Sequence, residues 1–135
     1  MTADPDALRF YADESALGLG KTLCAARKDT IYAGHPLIPE CPLGAPDTVW
    51  MRAVADRGLV ALVRDKRIRT RPLEIERFRE VGLRVFWLGG KRDLATWGYL
   101  EQLVRHWGTI ERIVNDEGPG PWGYVITKSS VEKLL

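Results

Sequence analysis

Asp13 and Glu14 directly follow the apolar run LRFYA, Asp65 lies two residues beyond LVALV, Asp93 follows LRVFWLGGKR, and Asp47 precedes the helical pattern TVWMRAVADRG. Carboxylates that converge in a cleft repel one another unless a cation neutralises them, and hard oxygen donors select Mg²⁺ or Mn²⁺. A centre of that kind lowers the pKa of a bound water, orients a phosphodiester and absorbs charge on the departing oxygen. Three of these five acids also have a structural use. Asp47 and Asp93 suit helix N-caps and Glu14 suits solvent, whereas Asp13 and Asp65 are not needed for folding where they stand.

A competing chemistry begins two residues after Asp13. The segment SALGLGKT ends like a phosphate-binding loop, but the pattern G-x-x-x-x-G-K-[ST] requires glycine at position 15, which is Ser15. The segment reads better as the first turns of a helix whose small glycines let it approach a sheet. Lys21 is retained as a phosphate contact.

Cations supply the second clue. In RDKRIRTR, Arg64, Lys66, Arg67, Arg69 and Arg71 bracket Asp65, and Lys91 and Arg92 are expected at the same edge. Such a run is commonly a solvated face; around a metal-binding acid it also attracts a polyanion through its phosphates. RNA contact is assigned to Arg64, Lys66, Arg67, Arg69, Lys91, Arg92 and Lys21. His35 and His106 have no ligand-spaced partners, so neither zinc nor a Ser-His-Asp triad is supported. Trp87, Trp97 and Trp107 read as core packing, and Cys24 as an inert apolar residue.

The elements that must position these groups alternate. Strands are expected over LRFYA (8–12), TIYA (30–33), LVALV (59–63), LRVFWL (83–88) and YVIT (124–127). The middle runs are apolar on both faces, as covered parallel strands are. Helices are expected in SALGLGKTLCAARK, in DTVWMRAVADRG with Gly58 as its cap, and in RPLEIERFREVG between Pro72 and Gly82. In the second of these Val49, Trp50, Ala53 and Val54 are expected to supply the apolar contacts, and in the third Leu73, Ile75 and Phe78. The longest runs from Asp93, with an apolar stripe of Leu94, Trp97, Leu100, Val104, Trp107, Ile110 and Val114. The stretch GHPLIPECPLGAP (34–46) holds four prolines and reads as a stiff loop. This alternation predicts one domain over residues 1–135, a three-layer α/β/α fold with a mostly parallel sheet. Ligands then bind beyond the carboxyl ends of its strands.

Bulk properties agree with one core. The 135 residues are 45% hydrophobic and 28% charged, and 20 basic against 18 acidic side chains leave a net charge of +2. Attraction to nucleic acid must therefore come from where the cations sit. Two cysteines form neither a disulfide framework nor a zinc set, and MTADPDALRF has no signal-peptide pattern, so a cytoplasmic location is expected.

Taken together, FYADES, APDTVWMRAVADRGLVALVRDKRI and FWLGGKRDLATW resemble the PIN-like toxins related to VapC, across nearly the whole chain. The resemblance implies a compact α/β nuclease that uses Mg²⁺ or Mn²⁺ to cleave RNA and is held inactive by a cognate antitoxin; homodimers are common among similar proteins. Asp13 matches the family's first-strand acid, Asp47 the acid opening the next helix, and Asp65 the acid after the following strand. Val63 stands where the family often has Thr, and the proline-rich loop stands where many PIN domains carry a helical glutamate. Glu14 and Asp93 are the candidates to replace it. Two other readings remain open on sequence: a PIN-like RNA-binding module without catalysis, and a receiver-like phosphotransfer domain using Asp13, Glu14, Asp65 and Lys91.

Overall fold

In the computed structural model, residues 3–90 and 93–135 are described, apart from the side chains of Arg67 and Ile68. Their elements run β1 (Phe10–Ala12), a 3-10 turn (Glu14–Ala16), α1 (Leu17–Ala26), β2 (Thr30–Tyr32), α2 (Asp47–Asp56), β3 (Val60–Val63), α3 (Arg67–Thr70), α4 (Pro72–Val81), β4 (Arg84–Leu88), α5 (Thr96–Glu117), β5 (Trp122–Ile126) and β6 (Val131–Lys133). One sheet has the order β2-β1-β3-β4-β5-β6, parallel throughout except for the last pair. Each of the five expected strands forms. β6 was not expected, because three residues with a polar, exposed centre carry too little pattern to separate strand from tail.

Strand alternation divides the core in two. Phe10, Ala12, Val60, Leu62, Phe86 and Leu88 pack with α1 and α5, while Tyr11, Ile31, Ala61, Val63, Val85 and Trp87 pack with α2 and α4. The result is the three-layer α/β/α arrangement, with helices burying both faces of a parallel sheet.

The helices stop where backbone chemistry requires. Gly58 follows α2 with φ 69°, and Gly82 closes α4 in the left-handed conformation, its N–H bonded to the Phe78 and Arg79 carbonyls. Two of the contacts expected on these helices are absent, since Val49 and Leu73 are exposed. α5 departs further. It begins at Thr96 after Ala95, so Asp93 is not its cap. Its buried positions are Tyr99, Gln102, Leu103 and Ile110, whereas Trp97 is 70% exposed and Val104 is also exposed. Periodicity cannot choose between adjacent apolar rows, and Tyr99 fixes the choice: its hydroxyl accepts the Leu94 N–H at 3.2 Å. The core reading of Trp97 is thereby corrected. Trp87 is fully buried, and Trp107 packs on Phe10 with centroids 5.2 Å apart. No helix among the described residues is long and apolar enough to cross a membrane.

α1 approaches the sheet through Gly20, where an added Cβ would lie 2.5 Å from the Ala12 Cβ and 2.9 Å from that of Tyr32. We therefore expect Gly20→Ala to destabilise the fold by about 1–3 kcal/mol through overpacking. Gly108→Ala, in open space on α5, should stabilise by up to about 1 kcal/mol through helix propensity. Urea titrations of the two variants check the opposite signs.

Candidate active site

The same alternation decides where the acids go. Ala12 pairs with Leu62, so Asp13 emerges level with Val63 and Asp65 two residues beyond it. Tyr11 and Val63 face α2, and a period of two carries Asp13 and Asp65 to that side as well. Asp47 is the first residue of α2. All three line one cavity of about 400 Å³ together with Glu14, Ser15 and Trp50, and Pro42, Gly44, Ala45 and Pro46 of the proline-rich loop form a wall. The loop is anchored beneath by the fully buried Ile38 and Cys41.

Asp13 is the unusual group. It is only 6% exposed, and its one side-chain partner is the Ser15 hydroxyl, which donates to Oδ1 at 2.5 Å. No cation pairs with it among the described residues. Burial, followed by the charges of Asp65 and Asp47, outweighs the Ser15 and Ala16 hydrogen bonds and pushes its pKa up to about 7. Asp29, the other buried acid, is 7% exposed but accepts from Arg27 Nε at 2.9 Å and Nη2 at 2.8 Å, with Arg9 at 3.5 Å. Among the described residues, the protein thus pairs one buried carboxylate with cations and supplies none to the other.

Ser15 was not singled out as a site residue. Its Oγ also accepts the backbone N–H groups of Arg64 (3.0 Å) and Asp65 (3.2 Å). One hydroxyl therefore orients Asp13 and ties the end of β1 to the turn that carries Asp65. Val63 had suggested that no hydroxyl served this edge; Ser15 supplies one, and the spacing D-x-S after a strand was the available signal.

Asp47 does not cap its helix. No side-chain cap bond is made, and its Oδ1 accepts the Trp50 indole N–H at 2.8 Å, while Trp50 stacks on Tyr11 with centroids 5.8 Å apart. A second missed residue, Glu74, reaches Asp47 from α4, which packs against α2. Burial, then the charge of Asp47, raise the Glu74 pKa, and Glu74 Oε2 is buried without a hydrogen-bond partner among the described residues. Nothing in the local sequence distinguishes Glu74 from an ordinary first-turn acid.

The two candidates for a fourth acid behave differently. Glu14 lines the cavity, and its Oε2 accepts the Gly44 N–H at 3.0 Å. Gly44 has φ 82°, a conformation that favours glycine. Asp93 is almost fully exposed and forms an ion pair with Arg64 at 3.7 Å. It does not line the cavity. Among the cations, Arg64 sits on the rim with its guanidinium 4.7 Å from the Tyr99 ring centroid, Lys66 is exposed, Arg69 is half-buried, and Lys21 lies 5.9 Å from the Tyr32 ring centroid. Lys91, Arg92 and the Arg67 side chain lie outside the described residues.

Residues 8–90 match a protein family described as "PIN like domain", which covers the strand-end acids, the proline-rich loop and the basic run. The chain belongs to the PIN-like domain family. No curated protein and no solved structure matches it. The strand order alone does not separate a PIN-like domain from receiver-like folds, since both can place ligands where β1 and β3 diverge. The family match does separate them.

The donor set suits a hard divalent ion in kind, with four carboxylates lining one cavity and one of them, Asp13, without a cationic partner among the described residues. Among the described residues, however, no three acids, histidines or cysteines stand in a metal-ligating arrangement. The carboxylates share a cavity without being drawn together.

The raised Asp13 pKa has a measurable sign. Between about pH 4, the ordinary carboxylate value, and pH 7 the unfolded chain releases this proton while the folded chain keeps it. Stability contributed by Asp13 therefore falls as pH rises through that window. Without divalent ions, Asp13→Asn should exceed the parent in stability at pH 8 by about 2–4 kcal/mol and approach it near pH 4. Parallel stability curves from denaturant titrations would refute this. Ser15→Ala should cost about 1–3 kcal/mol by leaving buried polar groups unpaired.

Proposed function

We propose that this PIN-like domain is a metal-dependent endoribonuclease and the toxin of a type II toxin–antitoxin pair. The nuclease-type fold follows from the family. The observation that carries the finer reading is the buried Asp13 carboxyl, without a cationic partner among the described residues and facing Asp47 and Asp65 across one cavity. Asp13, Asp47 and Asp65 would hold Mg²⁺ or Mn²⁺. When bound, that ion supplies Lewis-acid polarisation and a water of lowered pKa. The protein supplies the rest: Ser15 orients Asp13, Trp50 orients Asp47, and the proline-rich loop walls the cavity. Arg64 and Lys66 would draw the phosphate chain across the rim, with Arg67, Arg69, Lys91, Arg92 and Lys21 as further contacts. A cognate antitoxin would restrain the activity, homodimers are common among similar proteins, and the cytoplasm is the expected site of action.

A second reading rests on the unassembled state of the carboxylates: a PIN-like module that binds RNA without cleaving it. Chelators separate the two. The nuclease reading expects Mn²⁺ binding by calorimetry that weakens at least tenfold in Asp13→Asn and in Asp65→Asn, and cleavage of single-stranded RNA that stops on addition of EDTA. It also expects expression of the chain alone to slow growth, and co-expression of an adjacent small gene product to relieve this. RNA binding that ignores EDTA, with no cleavage at any Mn²⁺ concentration, would establish the non-catalytic module instead.

A further inference from the structure

A larger cavity lies elsewhere on the same carboxyl edge of the sheet. It measures about 740 Å³, ample for a nucleotide, and opens beyond β4 and β5 between Gly90, Leu94, Gly98 and Gln102 on one side and the turn after β5 on the other. Gln102 is the decisive residue. It is 6% exposed, and its Oε1 is shut off from solvent with no hydrogen-bond partner among the described residues. A buried carbonyl oxygen without a partner lowers stability, and leucine at that helical position would avoid the cost.

The wall opposite is preformed. His106 Nε2 donates to the carbonyls of Thr127 (3.0 Å) and Lys128 (3.3 Å), and the Ser130 N–H donates to Thr127 Oγ1 at 3.2 Å. Lys128 and Arg105 stand at the margin, and the Lys128 ammonium has no ion-pair partner among the described residues. Gly90 presents backbone without a side chain, so a planar group can approach there, and Leu94, packed on Gly98, offers an apolar contact. Arg64 connects this region to the acids. Its backbone N–H is held by Ser15, and its side chain lies over Tyr99, whose hydroxyl holds Leu94. Two or three strand spacings of ~4.8 Å separate β5 from β3 and β1, about 10–14 Å across the rim.

We propose that this cavity is a nucleobase subsite for the RNA whose backbone crosses the acidic cavity, with Gln102 reading the base edge and Lys128 and Arg105 meeting the adjoining phosphate. A terminal amide offers one donor and one acceptor and turns about its last torsion, so it suits a base edge that carries both. The proposal rests on the RNA reading above and adds sequence preference to it.

The test uses the full chain in EDTA, with the hexanucleotides rA6, rU6 and rC6 and the four 5′-mononucleotides as probes. We expect one base to bind at least tenfold more tightly than the weakest, with amide chemical-shift changes at Gln102, Thr127 and Lys128. Gln102→Leu should erase that preference without lowering the melting temperature, a combination that a structural role for the amide does not produce. Lys128→Ala should weaken every oligonucleotide severalfold while preserving the order among bases. Equal affinities for all probes, or a preference that survives in Gln102→Leu, overturn the subsite, as does a complete absence of binding. Metal-dependent cleavage is scored separately: base-selective binding without cleavage defeats the nuclease reading and leaves the subsite standing, and cleavage without base selectivity does the reverse.

Discussion

A carboxylate withdrawn from water, with no cationic partner among the described residues, organises this protein. Ionising Asp13 in its buried position is costly, and the nearby Asp65 and Asp47 make it more so. The fold plainly can solve such a problem, because Asp29 is equally buried and is bracketed by Arg27 and Arg9. At Asp13 the described residues supply the Ser15 hydroxyl and the Ala16 backbone N–H and no cation. A proton or a further cation would relieve the charge, and each neighbouring feature preserves that choice. The proline-rich loop closes one side, Trp50 turns Asp47 toward its own indole, and the Arg64 guanidinium is engaged with Tyr99 and Asp93.

The sheet's topology explains why the cavity lies where it does. From β1 the chain crosses outward to β2 and then returns to β3 on the other side, so the loops leaving β1 and β3 diverge and open a crevice between them. Strand alternation then sends Asp13 and Asp65 to the α2 side, while Arg64 between them points to the α5 side, over Tyr99. A polyanion crossing this edge would meet acids on one side of the sheet and cations on its rim. The Gln102 cavity opens on the far side, beyond β4 and β5. A single edge therefore carries both cavities.

Both cavities are maintained against stability. The Gln102 Oε1 and the Asp13 carboxyl, each without its counterpart among the described residues, are groups that hydrophobic replacement or neutralisation would relieve. Ser15 shows how little is needed to keep such a group in place, since one oxygen joins two strand ends and one carboxylate. Glu74 meets Asp47 from α4 and brings a further acid to the margin of the site.

Much of the architecture was legible locally. Five strands, the glycine-terminated helices and the three-layer arrangement follow from apolar runs and their punctuation, because buried parallel strands and helix ends leave strong short-range signals. The order of Asp13, Asp47 and Asp65 along the chain was equally readable. Register and helix rotation were not. That Asp47 binds Trp50 instead of capping, that Asp93 turns to Arg64, that Tyr99 and Leu103 displace Trp97 and Val104 from the core, and that Glu74 and Gln102 matter at all depend on which elements pack side by side. Sequence determined the periodicities and the chemical types of the side chains. Only the tertiary structure decided which carboxylate lost its water without gaining a cation, because desolvation is set by neighbours far apart in the chain.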